Sequence, residues 1–195
     1  MSVEKKIVYF ERPGKENTDE VLSLIQERAE ELGIKTVVLA STYGTSAVKA
    51  VKALKGLNVI VVSTAPGTRK PGQALTEENR RIIEAAGFPI FIGTHAFAGI
   101  SRAVKRRFET VQVGDLMADT LKIFGEGIKV ACEITMMAAD ANLINIDEPV
   151  IATGGSGAYG LGTDTAIVLK PVYAVDFFDI KIQDILCKPY FQIFE

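Results

Sequence analysis

Val37-Val38-Leu39-Ala40-Ser41-Thr42-Tyr43-Gly44-Thr45-Ser46-Ala47-Val48-Lys49-Ala50-Val51 joins an apolar run to a helix pattern through a turn of hydroxyls around one glycine. An apolar run with no polar alternation reads as a strand buried on both faces, which is the habit of parallel sheets. The turn that follows offers backbone N–H groups, a helix N-terminus and several hydroxyls to one point. A phosphate is the natural guest for such a point. Gly44 lets the backbone approach an anion closely, and Ser41, Thr42, Thr45 and Ser46 can donate hydrogen bonds. The same residues also suit a tight turn and a helix cap with no ligand.

Working outward, the rhythm of the quoted stretch repeats. Lys6–Phe10 reads as a strand, and Asn17 or Thr18 as the cap of a helix reaching Leu32, with Gly33 just past its end. Val21, Leu22, Ile25, Ala29 and Leu32 give that helix its apolar face. Thr36–Ala40 is the second strand, Thr45–Leu54 the second helix and Asn58–Ser63 the third strand. Thr76 caps a third helix that ends at Gly87, followed by a strand over Pro89–Gly93 and a helix over Phe97–Phe108. Asp115–Leu143 is a helical stretch broken at Gly125 and Gly127. Pro149–Thr153 and Thr165–Leu169 pair as a hairpin around a glycine-rich loop, and Val172–Ile182 is expected to add a strand. The fold expected is a three-layer α/β/α domain over residues 1–195, with a mostly parallel sheet and an antiparallel C-terminal hairpin.

Composition narrows the function. The 195 residues carry a net charge of −2, which gives nucleic acid no overall attraction. No apolar run reaches the roughly 20 residues needed to span a bilayer, and no signal-like stretch opens the chain. The two cysteines, Cys132 and Cys187, have no CxxC spacing or histidine neighbour, which suits small core residues in a reducing cytoplasm and argues against a metal site.

In open α/β sheets ligands sit beyond the carboxyl ends of the strands. Several candidates occupy such ends: Glu11 after the first strand, Thr64 after the third, and Thr94 and His95 after the fourth. His95 is the sole histidine and has no evident triad partner, so capping or packing is expected of it. Thr153–Asp164 contains Gly155, Gly157 and Gly160 in a G-x-G-x-x-G spacing, but a strand follows rather than a helix, so it is not the dinucleotide fingerprint. Such a loop can close over a ligand, or be a flexible hairpin tip. Gly67–Gly72 is not a P-loop, since no Gly-Lys-Ser/Thr follows and Pro71 obstructs a helix start; Arg69 and Lys70, on the ligand side after the third strand, read as a solvated pair or as cations that could meet an anion there. Arg102, Lys105, Arg106 and Arg107 form the one basic cluster and read as cations at a helix C-terminus.

The order of these pieces resembles the C-terminal α/β domain of pyruvate kinase. There a strand enters a Thr-Lys-Ser-Gly-Arg-Ser-Ala turn that binds an effector phosphate; Ser41-Thr42-Tyr43-Gly44-Thr45-Ser46-Ala47 stands in its place. Asp147–Gly154 and Thr163–Val172 are similar to the kinase's later strand, Thr-Gly, glycine-rich loop and closing strand ending in Pro-Val. Thr42 and Thr45 replace the kinase's lysine and arginine, so the resemblance implies a neutral cradle. The kinase's catalytic barrel has no counterpart, so pyruvate kinase activity is not expected.

The Pro13–Thr18 and Gly93–Ala96 stretches are similar to those of a small, mainly archaeal family of stand-alone proteins of this fold, which resemble flavin mononucleotide (FMN) binders. That resemblance implies FMN as cofactor, with Ser41, Thr42, Gly44, Thr45 and Ser46 at the phosphate. Glu11, Thr64, Thr94, His95, Gly154, Gly155, Gly157, Gly160, Thr163 and Asp164 would lie near the ribityl chain or ring. It also implies a partner of the phosphorylated small-molecule class, and the resemblance to the kinase domain, which associates with its own copies, implies self-association. A module that binds without turnover, an FMN-dependent oxidoreductase and a binder of another phosphate ester all remain open.

Overall fold

The computed structural model describes residues 2–68, 74–156 and 162–190. Strand β2 (Thr36–Ala40) comes directly from the quoted stretch and lies between β3 (Asn58–Thr64) and β5 (Val150–Gly154), parallel to both. The other strands are β1 (Val8–Phe10), β4 (Ile90–Gly93), β6 (Thr165–Lys170) and β7 (Lys181–Pro189). The sheet runs in the order β1-β7-β6-β5-β2-β3-β4. Only β6 is antiparallel to its neighbours, in the hairpin with β5 and again against β7.

Alternate strand residues part to opposite faces, which makes three layers. Val37, Leu39, Val59, Val61 and Ile151 pack in one core with α1 (Thr18–Leu32), α2 (Thr45–Ala53) and α3 (Glu77–Ala85). Val38, Ile60, Val62, Val150 and Ala152 pack in the other, against α6 (Glu126–Asp140). Helices α4 (Ile100–Phe108) and α5 (Val113–Lys122) lead into α6 on that second side.

Local chemistry explains several boundaries. Gly33 ends α1 in the left-handed conformation at φ 67°, and the Thr76 side chain accepts from the Asn79 amide to start α3. The first helix departs from expectation. Asn17 holds the N-cap position of α1 as expected, but makes no side-chain cap: its amide donates to the Arg12 carbonyl, and Thr18 Oγ1 accepts from the Thr163 N–H. The expectation of a strand over Val172–Ile182 is corrected. Ala174–Asp179 is a short 3-10 segment, and the strand begins only at Lys181. The apolar Val175, Phe177 and Phe178 imitate a strand, but Val175 and Phe178 are exposed, and Phe177 stacks edge-on against Phe97.

Cys132 and Cys187 are buried, one in each core, and burial pushes both thiols up to about 12. Neither is a nucleophile at neutral pH. Among the described residues no helix is long and apolar enough to cross a membrane, and no group of three or more His, Cys, Asp or Glu could hold a metal ion.

Candidate functional site

The chain leaves β2 for β3 on one side and returns from α6 to β5 on the other. The carboxyl ends of β2 and β5 therefore flank a topological switch point, where open α/β sheets make their ligand crevice. A cavity of about 270 Å³ opens there.

One wall is the quoted turn. Ser41, Thr42, Tyr43, Thr45 and Ser46 line the cavity. Ser41 Oγ accepts from the Ala47 amide, and Val48 N–H reaches the Gly44 carbonyl. Those bonds satisfy two of the first helical amides and leave those of Thr45 and Ser46 without an acceptor among the described residues. Ser63 Oγ donates to the Thr42 carbonyl, and the Asn79 amide donates to that of Tyr43, so the turn is fixed from both neighbours. Gly44, at φ 91°, does not line the cavity. A Cβ there would stand 2.6 Å from Asn79 and Leu75, so glycine is needed for the docking of α3.

The opposite wall is charged. Arg102 of α4 and Glu126 and Lys129 of α6 all line the cavity, and Lys129 is paired with the buried Glu133. Charges of both signs thus stand opposite the hydroxyl turn, which itself carries none. Arg102 lies in the first turn of α4, whereas Lys105, Arg106 and Arg107 fill its last turn, so the C-terminal reading of the basic cluster holds for those three alone.

Thr64 and His95 form the floor. His95 Nε2 is 3.3 Å from Thr64 Oγ1, and its Nδ1 is 2.8 Å from Glu133 Oε2. Glu133 is fully buried in α6, and it also accepts from Lys129 Nζ at 2.5 Å and from the Phe97 amide at 3.2 Å. Burial pushes the Glu133 carboxyl up, but the hydrogen bond from His95 and the charge of Lys129 outweigh it and hold the group below the ordinary carboxylate range. The carboxylate partner of His95 is thus Glu133. Its signal was a lysine and a glutamate four residues apart in a helix otherwise built of Ile128, Ala131, Cys132 and Ile134, where charged residues survive only in pairs.

Gly155 and Gly162 bring the second glycine-rich segment to the cavity rim. Gly157 and Gly160, like Arg69 and Lys70, lie outside the described residues. Gly154 serves packing instead, since a Cβ there would stand 2.0 Å from the Gly127 carbonyl oxygen at the start of α6. Asp164 is buried behind the rim. Its Oδ2 accepts from the Gly14 and Ser156 amides and its Oδ1 from the Thr165 hydroxyl, while burial raises its carboxyl above the usual range. Thr163 is also fully buried, beside Thr18. Two expected site residues stand elsewhere. Glu11 is exposed and does not line the cavity, and Thr94 lines a second cavity, of about 380 Å³, with Phe91 and Met137.

Among solved structures, the chain is similar to an NH3-dependent NAD synthetase from Campylobacter jejuni in complex with nitrate. Identity is 19% over 69% of this chain and 54% of that one, with a TM-score of 0.39. An O-ureido-L-serine synthase matches at 17% identity over 63% of this chain and 38% of that one, with a TM-score of 0.30. The chain thus spans about half or less of the length of these two proteins, and neither likeness bears on its ligand. The family model for the pyruvate kinase alpha/beta domain matches residues 19–169, from the start of α1 to the end of β6, and the chain belongs to that family.

Proposed function

We propose that the protein is a ligand-binding module for a phosphorylated small molecule, with FMN the first candidate. The observation that carries the reading is the pair of amides of Thr45 and Ser46, without an acceptor among the described residues, in a cavity that also receives Arg102. Neutral donors, a helix N-terminus and the Arg102 guanidinium converging on one cavity suit an anionic group, while Lys129 is paired with Glu133 and Glu126 lines the same cavity.

The donor set fits FMN at its phosphate end. Thr42, Thr45, Ser46 and Arg102 would hold the phosphate, while Tyr43, Val62, Val130 and Ile134 supply apolar surface to the rest of the molecule. Bound flavin would supply hydride and electron transfer. The second reading, a flavin-dependent oxidoreductase, is favoured by the titratable His95 in the same cavity.

Titration of the purified protein with FMN, followed by flavin fluorescence and visible absorbance, tests the reading. Saturable binding that inorganic phosphate competes away, weakened about tenfold or more by Arg102→Ala, is expected for one lost charge-assisted contact. Binding of neither FMN nor phosphate overturns it, and binding of phosphate alone replaces FMN with another phosphate ester.

A further inference from the structure

We propose that the cavity is an acid–base centre in which His95 moves a proton on a short phosphorylated hydroxy-aldehyde or hydroxy-ketone, with Glu133 as its positioning residue. The proposal rests on the phosphate-anchoring half of the reading above and is independent of flavin.

The geometry is that of an oriented imidazole. Nδ1 of His95 meets a fully buried carboxylate at 2.8 Å, and Nε2 points to Thr64 Oγ1 at the cavity floor. A carboxylate that accepts from Nδ1–H leaves the lone pair on Nε2, which the Thr64 hydroxyl faces at 3.3 Å and which the substrate takes over when it binds. Purely structural histidines need no such arrangement at a cavity wall, and a buried carboxylate accepting three hydrogen bonds is costly to assemble for packing alone.

Position sets the substrate's length. The phosphate turn follows β2 and His95 follows β4, two strands and about 10 Å away at roughly 4.8 Å per strand. The imidazole reaches back over the end of β3, since it touches Thr64. The reacting carbon therefore lies only a few bonds from the phosphate, as in a triose or pentose phosphate.

Such a substrate needs no co-reactant. Nε2 takes the proton from the carbon that bears the hydroxyl and adjoins the carbonyl. The released electron pair forms a C=C bond, and the carbonyl oxygen takes the charge and then a proton. Lys129, paired with Glu133 and lining the same cavity, is the cation that would stabilise that charge. Return of the proton to the neighbouring carbon, with re-formation of a carbonyl from the other hydroxyl, interconverts aldose and ketose with all atoms and electrons conserved.

The test uses dihydroxyacetone phosphate and ribose 5-phosphate in D2O, with proton NMR of the carbon next to the carbonyl and calorimetry for binding. Deuterium incorporation that falls at least roughly 100-fold in His95→Gln, with binding retained, is the expected result for loss of a general base. Glu133→Gln should lower kcat and leave KM unchanged, as a fault of orientation would. His95 is the only histidine, so the nitrogen-15 spectrum of its imidazole reports the tautomer directly, and Nδ1–H is expected in the unaltered protein. Binding of a probe without exchange, exchange undiminished in His95→Gln, or an Nε2–H tautomer each overturns the proposal and leaves the phosphate site standing. Failure of both probes to bind overturns the proposal, while the phosphate reading stands or falls separately with the FMN and inorganic phosphate titration.

Discussion

Glu133 of α6 and His95, 38 residues apart in sequence, share a hydrogen bond of 2.8 Å that ties the helix beneath the sheet to the loop after β4. Glu133 also anchors that loop through the Phe97 amide, and it neutralises the largely buried Lys129. Removal of such a carboxylate leaves three donors unsatisfied. Glu133→Ala should cost about 3 kcal/mol or more, and Glu133→Gln, which keeps one acceptor oxygen, should cost less. Urea denaturation of the two variants checks the order.

The same group sets one arm of the pH profile. Its folded value lies below the ordinary 4.5, so the stability it contributes is fully present above about that pH. It is lost as pH falls through the folded value. The acid limb of the unfolding curve should therefore be shallower in Glu133→Gln than in the unaltered protein.

Much of this architecture is legible in the sequence. The unbroken apolar runs of β2 and β3 fix those strands within a residue, and the hydroxyl turn places the cavity at the right sheet edge. Arg102 and Lys129 are not legible as site residues: each reads locally as a helix charge, and only the path of α4 and α6 across the far face brings them to the turn that follows β2. Glu133 is legible as a charge paired with Lys129 in an apolar helix, but its hydrogen bond to His95 depends on where the loop after β4 runs. Val172–Ile182 misleads for the complementary reason. Its aromatics look like strand residues, but they cover no sheet position, and Phe177 instead packs edge-on between Phe97 and Phe178.

Gly127 and Gly154 meet where α6 begins against β5. A Cβ on Gly127 would lie 2.1 Å from Thr165 Oγ1, and one on Gly154 would lie 2.0 Å from the Gly127 carbonyl oxygen. The second contact is with backbone and cannot rotate away. Thr165 Cβ would stand 2.4 Å from the Cβ on Gly127, and no rotation of that side chain moves it. Gly154→Ala and Gly127→Ala should therefore both overpack the joint and each lower stability by about 1–3 kcal/mol in chemical denaturation.

Asp164 makes the opposite pH contribution to Glu133. Burial raises its folded value above 3.8, so the native state holds the proton more tightly than the unfolded chain. Sign follows from that: the cost of the buried charge is present above the folded value and is relieved as pH falls through it toward 3.8. Asp164→Asn carries no such charge. Its amide oxygen can take the place of Oδ2 and accept from the Gly14 and Ser156 amides, while its NH2 faces the Thr165 hydroxyl, which can turn from donor to acceptor. The substitution should therefore cost no more than about 1 kcal/mol at neutral pH, against about 2 kcal/mol or more for Asp164→Ala, which leaves two buried amides unpaired. The unaltered protein should gain stability relative to Asp164→Asn as pH is lowered from 7 toward 4, since only the carboxylate can take up the proton. Urea midpoints of the pair across that range decide it, and a gap that stays constant with pH would show that Asp164 titrates alike in the folded and unfolded chain.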